Sequence, residues 1–170
     1  MTAVRQQNQQ TGLVTLSAAL LLLAACGNKS PDSESNDVSP GLTAATLGEQ
    51  QVSATADYLA QEPYASANRE QGARQAQICR ACHSLEKDGP NLIGPALHGF
   101  FGRRAGKVEG YAYSPVLMNA GFVWTPRAMD AWLAEPHQFL PGNRMTFVGI
   151  PGQADRDALI AYLLEATSSE

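Results

Sequence analysis

The 170-residue chain is long enough for one compact domain with appendages, and 12 basic against 16 acidic residues leave a net charge of −4. That balance excludes a nucleic-acid partner, which needs a basic surface. The charge is unevenly placed: Gly27–Asn68 holds six acids against one base, whereas Arg69–Glu170 holds ten of each.

The first 25 residues read as an export signal. Arg5 gives a weakly basic start, and Leu13–Leu23 is apolar but shorter than the roughly 20 residues that span a bilayer. The stretch closes on Leu23-Ala24-Ala25-Cys26, which resembles the lipobox of bacterial lipoproteins. In that family the chain is cut before the cysteine and the thiol carries a diacylglycerol, so Cys26 is the expected lipidation site. The two-chain anchor that stable membrane attachment requires would then hold the protein on the periplasmic side of a bacterial membrane. Residues 26–67 follow as an expected acidic flexible linker, polar around Asn28–Asp37 and with some helical spacing of Ala and Leu from Leu42 to Leu59. Such a linker spans roughly 35 Å by chain statistics.

The compact part is expected over residues 68–170. Ser114-Pro115 predicts a short helix closed by Gly121, and Thr125-Pro126 a second one through Met129, Trp132 and Leu133 that stops before Pro136. A last helix starts near Ala154 and carries Ala158, Leu159, Tyr162 and Leu163 on one face. Between His83 and Tyr113 the chain is a glycine-rich loop, and no stretch alternates as a strand. Short helices and such loops make a poor core alone, so a large buried cofactor is a natural filling.

Chemistry concentrates in Cys79-Arg80-Ala81-Cys82-His83. Cys-x-x-Cys-His is the pattern of covalent haem attachment: two thiols for the two vinyl groups, and a histidine beneath the iron. A thioredoxin-type redox pair wants a βαβ setting, which is missing, and a structural zinc site wants four ligands at suitable spacing. A second iron ligand decides the redox character. Met145 is the candidate because it sits in the Pro141-Gly142 loop, whereas Met118 and Met129 fall in predicted helices. His98 and His137 stand as rivals.

From Gly72 to Ala166 the chain resembles a class I cytochrome c of the mitochondrial and bacterial short-chain type. The resemblance is carried by Cys79–His83, Gly94–Gly99, Gly102-Arg103, Gly110–Ser114, Gly121–Trp124, Pro141–Ile150 and Asp157–Leu163, in the same order and with matching gaps. It implies an all-α fold wrapped around one covalent haem c, with His83 and Met145 as the axial ligands. Pro95 matches the proline whose carbonyl accepts the histidine's other N–H, Arg103, Tyr113 and Trp124 match residues at the haem propionates, and Phe147 matches an aromatic at the haem edge. The implied activity is single-electron transfer rather than catalysis, by a monomer working between membrane complexes of a respiratory or photosynthetic chain. A cytochrome bc complex as donor and a terminal oxidase as acceptor are the expected partners. The alternatives are a haem enzyme or sensor with a labile methionine, or a fixed subunit of a larger complex.

Three departures from the family pattern stand out. Trp132 replaces a tyrosine near the methionine, and Ala76 replaces an aromatic on the first helix of the domain, which should loosen its packing near Tyr162. Ile78, His137 and Pro151 stand where lysines ring the haem edge, leaving Arg144 basic, so docking by strong charge complementarity is not expected.

Overall fold

The computed structural model describes residues 41–169; the expected signal and Cys26 lie outside that range. Among the described residues six helices appear, α1 (Thr55–Leu59), α2 (Arg69–Arg80), α3 (Pro115–Met118), α4 (Pro126–Ala134), α5 (Pro136–Phe139) and α6 (Gln153–Ala166). Among the described residues the extended pairing is limited to one antiparallel bridge, Arg104 with Val123. The fold is all-α.

Local chemistry sets the helix starts. The Asn68 side chain accepts from the Gln71 N–H at 3.0 Å to open α2, and Thr125 Oγ1 accepts from the Ala128 N–H at 3.2 Å to open α4, with Pro126 following where its missing N–H costs nothing. Ser114 occupies the expected position before α3, but its side chain makes no capping bond and the helix lasts a single turn. Pro136 ends α4 as expected and also begins α5, a one-turn helix not foreseen from the sequence.

The packing centre is α6, which touches α1, α2 and α4 and is therefore buried on nearly every side. Its tightest neighbour is α2. A β-carbon added to Gly72 would lie 2.1 Å from the Ala158 carbonyl oxygen, so the two backbones are in direct contact there. Ala76, one turn on, is fully buried. The small residue is thus accommodated by close approach of the helices rather than by a gap beside Tyr162.

The main departure from expectation is residues 41–67, which form a strap on the domain rather than a free linker. Leu47 is 1% exposed and belongs to the core, with Leu42, Ala44, Tyr58, Leu59 and Tyr64 packed against it. Burial of one leucine contributes about 2 kcal/mol. Hydrogen bonds hold the rest: the Ala44 N–H donates to the Phe139 carbonyl at 2.9 Å and the Val123 N–H to Gln50 Oε1 at 3.2 Å. Arg69 closes the junction, donating to the Tyr64 and Ala67 carbonyls at 2.7 and 3.0 Å and pairing with Glu165 of α6 at 2.7 Å. A run of alanine, serine and glutamine disguised an element fixed by one apolar side chain and its backbone.

A second clamp secures the segment after Met145. Arg156, 8% exposed, pairs with Asp130 of α4 at 2.8 Å and donates to the carbonyls of Ile150 and Pro151, both at 2.8 Å. The loop is thereby tied to both α4 and α6.

Candidate cofactor site

The helices and loops enclose a cavity of about 400 Å³. Cys79, at the end of α2, reaches it together with Cys82 and His83 from the turn that follows. Pro95, Arg103 and Tyr113 line it from the long central loop, Trp124 from the segment between α3 and α4, Met129 and Trp132 from α4, and Met145 and Phe147 from the loop before α6. All nine residues singled out for the cofactor within the described range border this one space. His98 and His137 do not, and Met118 is exposed at the surface. Met129 lines the cavity too, from inside a helix.

The imidazole of His83 is closely constrained. Its Nδ1 lies 2.7 Å from the Pro95 carbonyl oxygen, which can only accept, so Nδ1 carries the proton and Nε2 keeps its lone pair. Burial lowers the pKa of the ring and the Pro95 contact opposes that, so the neutral, ligating form is favoured near neutral pH. Gly94 is pressed against the ring: a β-carbon there would lie 2.3 Å from Cε1. The Gly94 N–H donates to the Cys82 carbonyl at 2.7 Å, and Asn91 braces the same loop by accepting from the Ala96 N–H at 2.9 Å.

The thiols are not joined as a disulfide, and burial pushes Cys79 up to about 11. Among the described residues no cluster of three His, Cys, Asp or Glu could hold a metal ion, so the zinc alternative lacks its ligands. The sulfur of Met145 accepts from Trp132 Nε1–H at 3.3 Å, and the Met145 N–H donates to Asn143 Oδ1 at 2.9 Å. Asn143 in turn donates to the Pro136 and Leu140 carbonyls, each at 2.8 Å. Neither Trp132 nor Asn143 was singled out as a site residue from sequence; the Trp132 departure was the available signal, whereas Asn143 looked like an ordinary loop residue.

The charged residues lining the cavity are Arg103, Arg104 and Arg144, with no carboxylate among them. Arg103 has no ion-pair partner among the described residues. Burial raises the Tyr113 phenol while the nearby Arg103 charge opposes the shift. Of the three positions expected to lack the family's lysines, Ile78 borders the cavity and His137 and Pro151 do not; Arg144, expected to stay basic, borders it too.

A flat, apolar ring system with an anionic edge fits this arrangement: apolar walls, unpaired guanidiniums, two thiols beside one imidazole and a thioether. Those features define a c-type haem protein of the all-helical class. Comparison with known proteins bears on the same point. No protein-family model matches the chain. A cytochrome c from Gibberella zeae is 45% identical over 89 residues, covering 52% of this chain and 84% of that protein. One from Kluyveromyces lactis is 35% identical over 105 residues, 61% of this chain and 96% of that protein. A cytochrome c2 from Rhodoblastus acidophilus is 41% identical over 85 residues, 50% of this chain and 79% of that protein. The chain belongs to the cytochrome c family. Membership implies a covalently bound haem c and makes the protein an electron carrier, not an enzyme.

Proposed function

We propose that this protein is a membrane-tethered, periplasmic single-electron carrier with one haem c, attached through thioethers to Cys79 and Cys82 and ligated axially by His83 and Met145. The observation that carries the reading is that one cavity borders both the His83 imidazole, with Nε2 free, and the Met145 thioether. When bound, the haem supplies a ferric/ferrous couple. The residues do the rest. Pro95 fixes the imidazole tautomer and strengthens it as a donor. Arg103, Tyr113 and Trp124 would receive the propionates, whose charges are costly to bury unpaired. Phe147 closes the edge with apolar surface. His83 and Met145, each on a braced segment, would hold the iron from protein side chains, an arrangement that suits transfer rather than substrate turnover.

Cys26, by its lipobox-like setting, carries the lipid anchor, and the carrier works between a cytochrome bc-type donor and a terminal oxidase, or their photosynthetic counterparts. No helix among the described residues is long and apolar enough to cross a membrane. Two variants test the reading. Met145→Ala should abolish the sulfur-to-iron charge-transfer band of the purified oxidised protein; a retained band would refute the axial assignment. Cys26→Ala should release active cytochrome into the soluble fraction, and continued membrane attachment would refute the anchor.

A further inference from the structure

The strap from Ala44 to Gln50 bridges two separate walls of the cofactor cavity. At one end the Ala44 N–H donates to the carbonyl of Phe139, the last residue of α5, at 2.9 Å. The Pro136 and Leu140 carbonyls, at the two ends of that helix, hold the side-chain amide of Asn143, whose Oδ1 accepts the Met145 N–H. At the other end Gln50 Oε1 accepts the Val123 N–H at 3.2 Å. The next residue, Trp124, lines the cavity, and its own N–H donates to the Arg103 carbonyl at 2.9 Å. Between the two ends Leu47, 1% exposed, enters the same buried cluster as Phe122 and Phe139, whose rings meet edge to face at 5.3 Å. The strap is held in shape by its own residues. The Thr43 N–H donates to Thr46 Oγ1 at 2.9 Å, and Tyr58 Oη accepts from the Ser53 N–H at 2.9 Å while donating to the Gln51 carbonyl at 3.1 Å.

We propose that the strap is a latch on the Met145 loop, which must be released before that loop can open, so that it sets how readily an outside ligand displaces the thioether. The inference rests on Met145 being the second axial ligand. No strap residue borders the cavity, so the strap acts through the linkage just described and not as a wall of the site. The Met145 loop hangs from α5 by Asn143. Swinging the loop out drags α5 with it, which breaks the Ala44 bond and uncovers Leu47. Local opening is as rare as the contacts it breaks are strong. A ligand that binds only the open form has its affinity reduced by the fraction of molecules that are open. The latch thereby holds the protein in the form that transfers electrons and away from one that binds small ligands.

The test uses the haem-loaded full chain, with imidazole binding and urea stability measured on wild type, Leu47→Ala, Gln50→Ala and Leu159→Ala. Imidazole should bind Leu47→Ala about tenfold more tightly or better, because the buried leucine no longer opposes opening. Gln50→Ala, which loses one hydrogen bond, should move the same way by about two- to tenfold. Leu159→Ala is the control: that leucine is as buried as Leu47, but it lies on α6, outside both the strap and the cavity lining. It should lose comparable urea stability and bind imidazole as wild type does. Wild-type imidazole affinity in Leu47→Ala overturns the proposal. So does a gain in Leu159→Ala equal to that in Leu47→Ala, since the effect would then be general destabilisation. If Met145→Ala keeps the sulfur charge-transfer band, the axial assignment itself falls and takes this inference with it, whatever the strap variants show. Should Leu47→Ala fail to fold, amide exchange in the unaltered protein decides. The Ala44 and Met145 amides should be protected to within about tenfold of each other and respond alike to low urea. An Ala44 amide that exchanges like an exposed one while Met145 stays protected overturns the proposal.

Discussion

Replacing Gly94 with alanine should displace the His83 ring. The added β-carbon would stand 2.3, 2.6 and 2.7 Å from Cε1, Nδ1 and Nε2. Comfortable contact is about 3.5–4.0 Å, so one partner must retreat by about 1 Å. The backbone of Gly94 does not adopt a left-handed conformation, so alanine brings no torsional penalty and the clash is the whole perturbation. The loop is pinned, since the Gly94 N–H bonds the Cys82 carbonyl at 2.7 Å and its own carbonyl accepts from Leu92 at 2.9 Å. The imidazole must therefore move and lengthen its 2.7 Å contact with Pro95. Overpacking of this kind costs about 1–3 kcal/mol, and loss of the hydrogen bond adds about 1 kcal/mol. Urea denaturation of the haem-loaded protein measures the stability, and the visible spectrum and midpoint potential report the altered ligand. Gly41→Ala is the control, because its β-carbon meets only the flexible Gln138 side chain, and it should stay within about 0.5 kcal/mol of wild type. A Gly94→Ala protein as stable as that control, with an unchanged spectrum, would refute the reasoning.

Leu47→Ala should destabilise the domain by about 2–4 kcal/mol in the same urea assay, since it empties a buried leucine site; a neutral result would mean that the strap is detached in solution. The third prediction concerns Glu86, whose carboxyl is lowered from 4.5 to about 2, chiefly by its hydrogen bond from Arg80. A depressed carboxyl stabilises the folded state above the unfolded pKa, and that contribution is lost as pH falls from 4.5 towards 2. Glu86→Gln should therefore flatten the acid limb of a stability-against-pH curve in that window. Added salt should shrink the difference, because the pair is largely exposed. An acid limb identical in both proteins would remove Glu86 from the account.

The site was more legible in the sequence than the boundaries of the domain. Cys79–His83 announces its chemistry by spacing alone, and Met145 stands out because the Pro141-Gly142 turn removes it from any helix. The starts of α2 and α4 follow from side chains that cap their own backbone, a strictly local effect. The strap was hidden for the converse reason. Its order comes from partners outside it, Phe139, Val123 and Arg69, and composition along residues 41–67 carries no trace of them. Ala76 misled in the same way: an alanine predicts weak packing only if the helices keep their usual separation, and Gly72 lets α2 come closer. Asn143 was invisible because its three hydrogen bonds run to backbone groups on either side of a turn.

The strap also changes the physics of finding a partner. With the anchor at Cys26, as proposed, a free linker reaching Asn68 would be 42 residues long, whereas the strap begins only 14 residues, 27–40, beyond the anchor. Chain length then bounds the distance from anchor to strap at about 50 Å, against about 150 Å for the longer stretch. A carrier held so near the bilayer searches by lateral diffusion, alongside complexes in the same membrane plane. Its encounters then depend on crowding and spacing within the membrane rather than on concentration in the surrounding space.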